Sequence, residues 1–309
     1  MIMKKITILL PAYNEEDSIN EVKKCMSQVI KDNSDYLWEF LFVNDGSTDN
    51  TLNEISKVCS EDNHFRYIDL SRNFGKETAI MAGLDHIDTD ALIIMDADMQ
   101  HPIDVIPTMI KYWEDGYDDI YAQRQSSSES WLKKITSKAY YRILQHLTYI
   151  PIQKDTGDFR LMDRKCIEAL RQMRETDRNT KGMYSWIGFR KKGVFYHQKN
   201  RKYGNTKWSL YQLINLALTG ITSFTTAPLR LASVFGFVIS ICAFVYLIYI
   251  IVKTIIVGEP VQGFPTLMVT ILFLGGIQLI SLGIIGEYLG HIFNETKKRP
   301  NYFIRSKSK

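Results

Sequence analysis

Ala91-Leu92-Ile93-Ile94-Met95-Asp96-Ala97-Asp98-Met99-Gln100 is the stretch on which the fold turns. A short unbroken apolar run closed by polar residues reads as a strand buried on both faces, the kind found inside a parallel sheet. Asp96 and Asp98 follow it at i and i+2, so in an extended segment their carboxylates point to the same side. Two such charges at the end of a buried strand are costly unless something positive neutralises them. Mg²⁺ or Mn²⁺, which is held by one or two carboxylates together with substrate phosphates, meets that need. Acidic caps on a helix starting near Pro102 are the competing explanation. The place directly after a strand, and the motifs that accompany it, favour the ion.

The same alternation extends to either side. Strands are predicted at Ile6–Leu10, Phe40–Val43, Tyr67–Leu70, Ala91–Met95 and Ile120–Ala122. Between them Ile19, Val22, Met26, Val29 and Ile30 recur at helical spacing, and Ala79, Ile80, Gly83, Leu84 and Ile87 do so less regularly. Strands alternating with helices give an α/β class, a mostly parallel sheet covered by helices. Ligands in such sheets bind beyond the carboxyl ends of the strands, and the polar motifs fall there. Pro11-Ala12-Tyr13-Asn14-Glu15-Glu16 follows the first strand and Asn44-Asp45-Gly46-Ser47-Thr48-Asp49 the second. Turn and cap preferences explain the second motif in plain structural terms. As a binding site, the two would form a nucleotide pocket in which Tyr13 supplies an aromatic face and Glu15 and Asp45 accept hydrogen bonds from a base or ribose. Farther along, Trp131 to Tyr149 is predicted to be a helix leading away from the sheet, and Asp155 to Met162 a return to it.

The chain has 309 residues and a formal net charge of +4. That is room for one large domain and a small appendage, with too little charge to argue for nucleic acid. The average composition hides a change near residue 228: Leu231 to Val252 and Val261 to Gly286 contain no Asp, Glu, Lys or Arg. Each run reaches the roughly 20 residues a bilayer-spanning helix needs. A two-helix transmembrane hairpin is therefore predicted, with spans at about 231–253 and 263–286. Arg230 precedes it, and Lys297, Lys298, Arg299, Arg305, Lys307 and Lys309 follow it. The positive-inside rule then places both ends in the cytoplasm and leaves only the residues around Gly258 to Gly263 outside. No signal-peptide core precedes the first strand, so the amino-terminal domain is expected to stay where it is made.

The predicted layout is a cytoplasmic domain at 1–207, a juxtamembrane segment at 208–229, the spans within 230–290, and a basic cytoplasmic tail at 291–309 facing an anionic membrane surface. Trp208 to Phe224, uncharged after Lys207, is open between an amphipathic helix in the interface plane and a soluble core helix. Cys25, Cys59, Cys166 and Cys242 show no close spacing, which fits a reducing compartment and neither a zinc site nor a disulfide frame.

Together PAYNEE, NDGSTD, SRNFGKE, DADMQHP and DTGDFRLMDRK, ending in two spans, resemble family 2 glycosyltransferases of the polyprenyl-phosphate type, among them dolichol-phosphate mannose synthase and the bacterial GtrB-like enzymes. The resemblance runs over nearly the whole chain. It implies a GT-A fold and an inverting transfer of one sugar from a nucleotide-sugar to polyprenyl (undecaprenyl) phosphate at the cytoplasmic membrane face, for cell-envelope glycan modification. It implies further that Pro11, Tyr13, Glu15, Asp45 and Asp96 hold the nucleotide, that Asp96, Asp98 and Gln100 sit at Mg²⁺ or Mn²⁺, and that Arg124 meets the acceptor phosphate. Lys134 and Ser137, in the lysine-containing stretch after Arg124, are further acceptor-phosphate candidates. Arg201 and Lys207, in a stretch like the family's flexible basic loop, are candidates for the donor phosphates.

Asp158, which with Asp155 flanks Gly157, falls where GT-A enzymes often carry a general base. A lipid phosphate, with a second pKa of about 6, is already largely anionic at neutral pH and has little need of one. Asp158 is expected instead to position the acceptor or hold neighbouring cations. UDP-glucose and UDP-N-acetylglucosamine are the expected donors, with UDP-galactose asking for nearly the same contacts. A homo-oligomer is expected because two spans pack better with partners. Two positions depart from the family pattern: Asn44 stands where many relatives have Asp, and His101 follows Gln100 where many have Asp. His101 is expected to face solvent at a helix start and is left out of the metal set.

Two other functions share parts of this pattern. A processive polysaccharide synthase would add a Gln-x-x-Arg-Trp signature and more spans, and the chain has no such signature. A non-catalytic scaffold derived from a transferase would have lost its metal ligands, whereas Asp96, Asp98 and Gln100 are all present.

Overall fold

The computed structural model describes residues 3–124, 156–176, 178–196, 226–257 and 263–308. They belong to two units, Met1–Ser209 with Arg299–Lys309, and Leu210–Lys298.

The first unit is built on one sheet of β1 (Lys5–Ala12), β2 (Leu37–Asn44), β3 (Phe65–Leu70), β4 (Ala91–Ile94), β5 (Asp119–Arg124), β6 (Thr156–Asp163), β7 (Lys191–Tyr196) and β8 (Ile304–Lys307). Their order is β7-β5-β6-β4-β1-β2-β3-β8. β1 lies parallel to β2 and β4, β2 to β3, and β5 to β7. β6 runs antiparallel between β4 and β5, the predicted return to the sheet. The other predicted strands are also present. β1 and β2 extend to Ala12 and Asn44, so the sheet itself holds the first residues of both polar motifs. β6 pairs Arg160 with Ile94, and continuing that register sets Asp158 across from Asp96.

Helices α1 (Ile19–Asp32), α2 (Thr51–Glu61), α3 (Lys76–Asp85), α4 (Ile106–Glu114), α5 (Arg164–Gln172) and α6 (Thr180–Trp186) cover the sheet. Ile6, Ile8 and Leu10 enter one core with Ile19, Val22 and Met26 of α1, while Leu9 enters the other with Ile80 and Leu84 of α3. Alternate β1 residues thus serve opposite faces, and each fully buried Ile or Leu contributes about 1.5–3 kcal/mol. The irregular stripe of α3 has a physical cause: Ala79 through Leu84 are all buried, so the helix is enclosed on several sides. A Cβ added at Gly83 would lie 2.2 Å from Leu9 Cδ1, so α3 rests almost directly on β1.

Where β5 and β6 meet, Arg160 Nη1 donates to both carboxylate oxygens of Asp119 at 3.2 and 3.1 Å. The guanidinium lies 3.6 Å from the centre of the Tyr184 ring. Both charged residues are shut off from solvent, Arg160 at 1% and Asp119 at 0% exposure.

The segment predicted as a basic tail at 291–309 is organised differently. Its first residues continue a helix to Thr296, and Ile304–Lys307 return as β8, the antiparallel edge strand beside β3. An uncovered β3 would present a row of unpaired backbone groups, which β8 satisfies; Arg305 and Lys307 therefore belong to a sheet.

The second unit is a helical hairpin of α7 (Ala227–Val257) and α8 (Phe264–Thr296). With 31 and 33 residues, both helices exceed the roughly 30 Å of a bilayer core. Phe237 and Leu279 are 67% and 71% exposed, and a helix that is apolar all round suits lipid rather than water. Among the described residues, Phe273–Thr296 is long and apolar enough to cross a membrane, and Leu231–Tyr246 is a shorter apolar stretch. The expectations for Trp131 to Tyr149, Trp208 to Phe224 and the turn at 258–262 lie outside the described residues. The four cysteines are free. Burial pushes the Cys59 thiol up to about 12, so it stays protonated and inert at neutral pH.

Candidate active site

The carboxyl ends of β1, β2 and β4 open on one cleft of about 310 Å³, lined by Pro11, Ala12, Tyr13, Glu15, Asp45, Asn73, Gly75, Lys76, Ala79, Asp96, Ala97 and Asp98. Six residues singled out in the sequence, Pro11, Tyr13, Glu15, Asp45, Asp96 and Asp98, therefore meet in one place.

Backbone and side-chain bonds clasp the segments that follow β1 and β2 together. Asn14 N–H donates to Ser47 Oγ at 3.0 Å, Thr48 N–H to Asn14 Oδ1 at 2.9 Å, and Glu15 N–H to Thr51 Oγ1 at 2.8 Å. Asp45 accepts the N–H groups of Phe74 and Gly75 at 2.7 and 2.9 Å, so its carboxylate first holds the loop that leads into α3. Burial pushes its pKa up against those bonds. An ionised carboxylate retains further lone pairs for a ligand. Asn44 is explained by its neighbour: its amide donates to buried Asp69 Oδ1 at 2.7 Å, where an aspartate would set carboxylate against carboxylate.

Gly46 has φ of +62°, and a Cβ there would lie 2.3 Å from the Arg72 carbonyl carbon. Backbone cannot give way as a side chain would. Gly46→Ala is expected to cost about 1–3 kcal/mol or more through strain and overpacking, read as a lower melting temperature together with weaker nucleotide binding.

Lys76, the first residue of α3, is the charged centre of the cleft. Its ammonium lies 2.6 Å from Asp96 Oδ1 and 2.7 Å from Asp158 Oδ2. Burial works against its charge, but Asp96 and Asp158 outweigh it and hold the pKa above the ordinary lysine value. Burial likewise opposes ionisation of Asp158, yet Lys76 holds that carboxyl below the usual range. Thr180 Oγ1 donates to Asp158 at 3.2 Å. A carboxylate so stabilised is a weak base, and what it does here is hold a cation. Lys76, Asn73 and Gly75 received no role in the sequence reading. Their signal was SRNFGKE, a basic residue after a glycine turn at a helix start, whose aim depends on β6 arriving beside β4.

His101 requires a correction. It is 7% exposed, with its ring stacked on Phe159 at 4.7 Å. Its Nδ1 accepts the Asp96 N–H at 3.3 Å. Met99, at φ of +59°, turns the chain back and carries His101 under the acidic motif. Burial lowers its pKa, leaving a neutral ring that braces Asp96 from behind. Gln100 is also buried, and its N–H donates to Asp98 Oδ1 at 3.1 Å. Arg124 ends β5, opposite Tyr196 of β7 in the parallel register. Lys134, Ser137, Asp155, Arg201 and Lys207 lie outside the described residues.

Among the described residues, no three His, Cys, Asp or Glu side chains form a ready metal cage. Mg²⁺ and Mn²⁺ do not require one, since substrate phosphates and water complete their shell. Asp96, Asp98 and the amide of Gln100 are hard oxygen donors, and the Lys76 ammonium against Asp96 marks a place where positive charge is accommodated. The donor set fits such an ion.

The sequence profile of glycosyl transferase family 2 matches residues 7–171, from β1 to the end of α5. The chain belongs to this family. The profile of the GtrB C-terminal hairpin matches residues 227–292, the stretch that forms α7 and most of α8. This family 2 glycosyltransferase is 42% identical to the prophage bactoprenol glucosyl transferase homolog of Escherichia coli, over 97% of this chain and 98% of the relative. It is 40% identical to the bactoprenol glucosyl transferase of Shigella phage SfV, over 98% of each. Its fold is similar to that of glucosyl-3-phosphoglycerate synthase from Mycobacterium tuberculosis, solved with Mn²⁺, uridine diphosphate and phosphoglyceric acid. That likeness has a TM-score of 0.50 at 15% identity and covers 71% of this chain and 76% of the other. The resemblance drawn from the motifs therefore holds, and so does the GT-A type architecture.

Proposed function

We propose that the chain transfers one glucosyl residue from UDP-glucose to a polyprenyl phosphate such as undecaprenyl phosphate, with inversion, at the cytoplasmic face of a membrane. The observation that carries this reading is the meeting of Tyr13, Asp45, Asp96, Asp98 and Lys76 in one cleft at the strand ends. Pro11, Tyr13, Glu15 and Asp45 would hold the uridine, and Asp96, Asp98 and Gln100 a Mg²⁺ or Mn²⁺ ion. That ion, when bound, stabilises the charge developing on the departing diphosphate. Arg124, with Lys134 and Ser137, would receive the lipid phosphate, whose oxygen attacks the anomeric carbon as the bond to UDP breaks. Arg201 and Lys207 would meet the donor phosphates. Lys76 keeps Asp158 ionised and Asp96 in place before the donor arrives.

Glucose is preferred to N-acetylglucosamine because relatives at 40–42% identity are named glucosyl transferases. Two crossings by α7 and α8 are preferred to one because both helices are long enough, and because β3 and β8, on either side of the hairpin in sequence, share one sheet. The hairpin then supplies a lipid-facing surface for self-association into a homo-oligomer. Purified full-length protein, supplied with undecaprenyl phosphate, Mn²⁺ and a panel of nucleotide-sugars, should yield a lipid carrying a single hexose from UDP-glucose by mass spectrometry. A long polymer, or no turnover with any donor, would overturn the proposal.

A further inference from the structure

The residues that follow the hairpin reach the donor cleft through a chain of polar contacts. In the β3–β8 ladder, Asp69 faces Ser306 and Leu70 faces Ile304, which makes Arg305 the extra residue of a β-bulge. A bulge re-aims a side chain out of the regular alternation. Here the guanidinium is turned onto the Ser71 carbonyl, at 2.6 Å, and toward Asp69 Oδ2, at 3.6 Å. Asp69 is fully buried, and among the described residues its Oδ2 accepts no hydrogen bond and has the Arg305 guanidinium as its facing cation. Its other oxygen accepts from Asn44 Nδ2 at 2.7 Å, Asn44 Oδ1 accepts from Ser47 Oγ at 2.5 Å, and Ser47 Oγ accepts the Asn14 N–H at 3.0 Å. On the other branch, Ser71 N–H donates to the Phe303 carbonyl at 2.9 Å. Ser71 opens the loop whose Phe74 and Gly75 bind Asp45 and which ends at Lys76.

We propose that Arg305 is a positioning residue for the nucleotide-sugar, holding the 44–49 and 71–76 loops in the arrangement that receives it. The inference rests on reading the cleft as the nucleotide site. Without the guanidinium, a buried carboxylate oxygen faces neither a charge nor a donor, which is costly. Asp69 relieves that cost by turning, which releases Asn44 and with it Ser47 and Asn14. Asp96, Asp98 and Asp158 lie on other elements and keep their places. Donor binding therefore weakens while the bound complex reacts at its former rate.

The test compares the full chain in nanodiscs with Arg305→Met, Arg305→Lys and Ile304→Ala, the last weakening the strand without touching the network. UDP affinity in the presence of Mn²⁺, KM and kcat for UDP-glucose, and melting temperature are measured for each. Arg305→Met is expected to raise both the Kd for UDP and the KM about 10-fold, the size of a lost charged hydrogen bond, with kcat unchanged. Arg305→Lys should recover most of the affinity, and Ile304→Ala should lower the melting temperature while binding UDP as before. Unchanged UDP affinity in Arg305→Met, or losses that follow the melting temperature across all variants, would overturn the inference. Failure of the unaltered chain to bind UDP would overturn the donor-site reading itself, and this inference with it.

Discussion

Asp98→Asn is expected to cut sugar transfer by a factor on the order of 10²–10³, about 3–4 kcal/mol of transition-state stabilisation, while leaving the protein folded. Asp98 lies on the cleft, and its Oδ1 accepts the Gln100 N–H, which an asparagine carbonyl also does. What the substitution removes is charge. A Mg²⁺ or Mn²⁺ ion held by this carboxylate would neutralise the charge of the departing diphosphate, and an amide would hold such an ion far less strongly. Asp96→Asn is a less clean experiment, because Lys76 is shared between Asp96 and Asp158 and would settle on the latter. Turnover followed against Mn²⁺ concentration separates the two outcomes. If the Asp98 variant is as active as the parent at every metal concentration, the ion is not held where the acidic motif places it.

The second large effect is on stability. Asp119→Ala leaves the Arg160 guanidinium buried at 1% exposure beside a methyl group, and breaking a buried pair from one side costs about 3–5 kcal/mol. Lys191 lies 3.8 Å from the same carboxylate, so two cations lose one partner. For a domain of this size the loss corresponds to a fall of roughly 10 °C in melting temperature. Replacing the pair together, as Asp119→Leu with Arg160→Met, should recover much of it, because apolar residues of similar volume can fill such a site without a desolvation penalty. Equal melting temperatures for Asp119→Ala and the parent would show that solvent reaches the pair.

The elements read best from sequence are those whose cause is local. An apolar run such as Ile6–Leu10 has no comfortable place except a buried strand, and α1 has one clean stripe because one face alone is covered. α3 is less legible because it is enclosed, so its apolar residues follow no single face. The site divides in the same way. Tyr13, Asp45, Asp96 and Asp98 stand at strand ends, and strand ends are visible as changes in hydropathy. Lys76 is aimed by the meeting of β6 with β4, and His101 is buried by a backward turn at Met99; each depends on contacts distant in sequence or on an uncommon backbone angle. The partner of β8 was illegible for the same reason. Its basic residues look like those of any membrane-flanking tail, and only β3 beside them makes a strand.

The position of β8 also sets an order of events during synthesis. Tyr67 and Ser308, joined at 2.8 Å, are 241 positions apart, with both hairpin helices between them. At roughly 5–20 residues per second, the ribosome takes roughly 12–50 seconds to supply β3 with its partner. Through that interval the edge of β3 is open to wrong pairing. It closes only after the hairpin has been made and β8 has followed it. A chain that stops short of β8 keeps that edge bare, so the sheet is completed by the last residues to leave the ribosome.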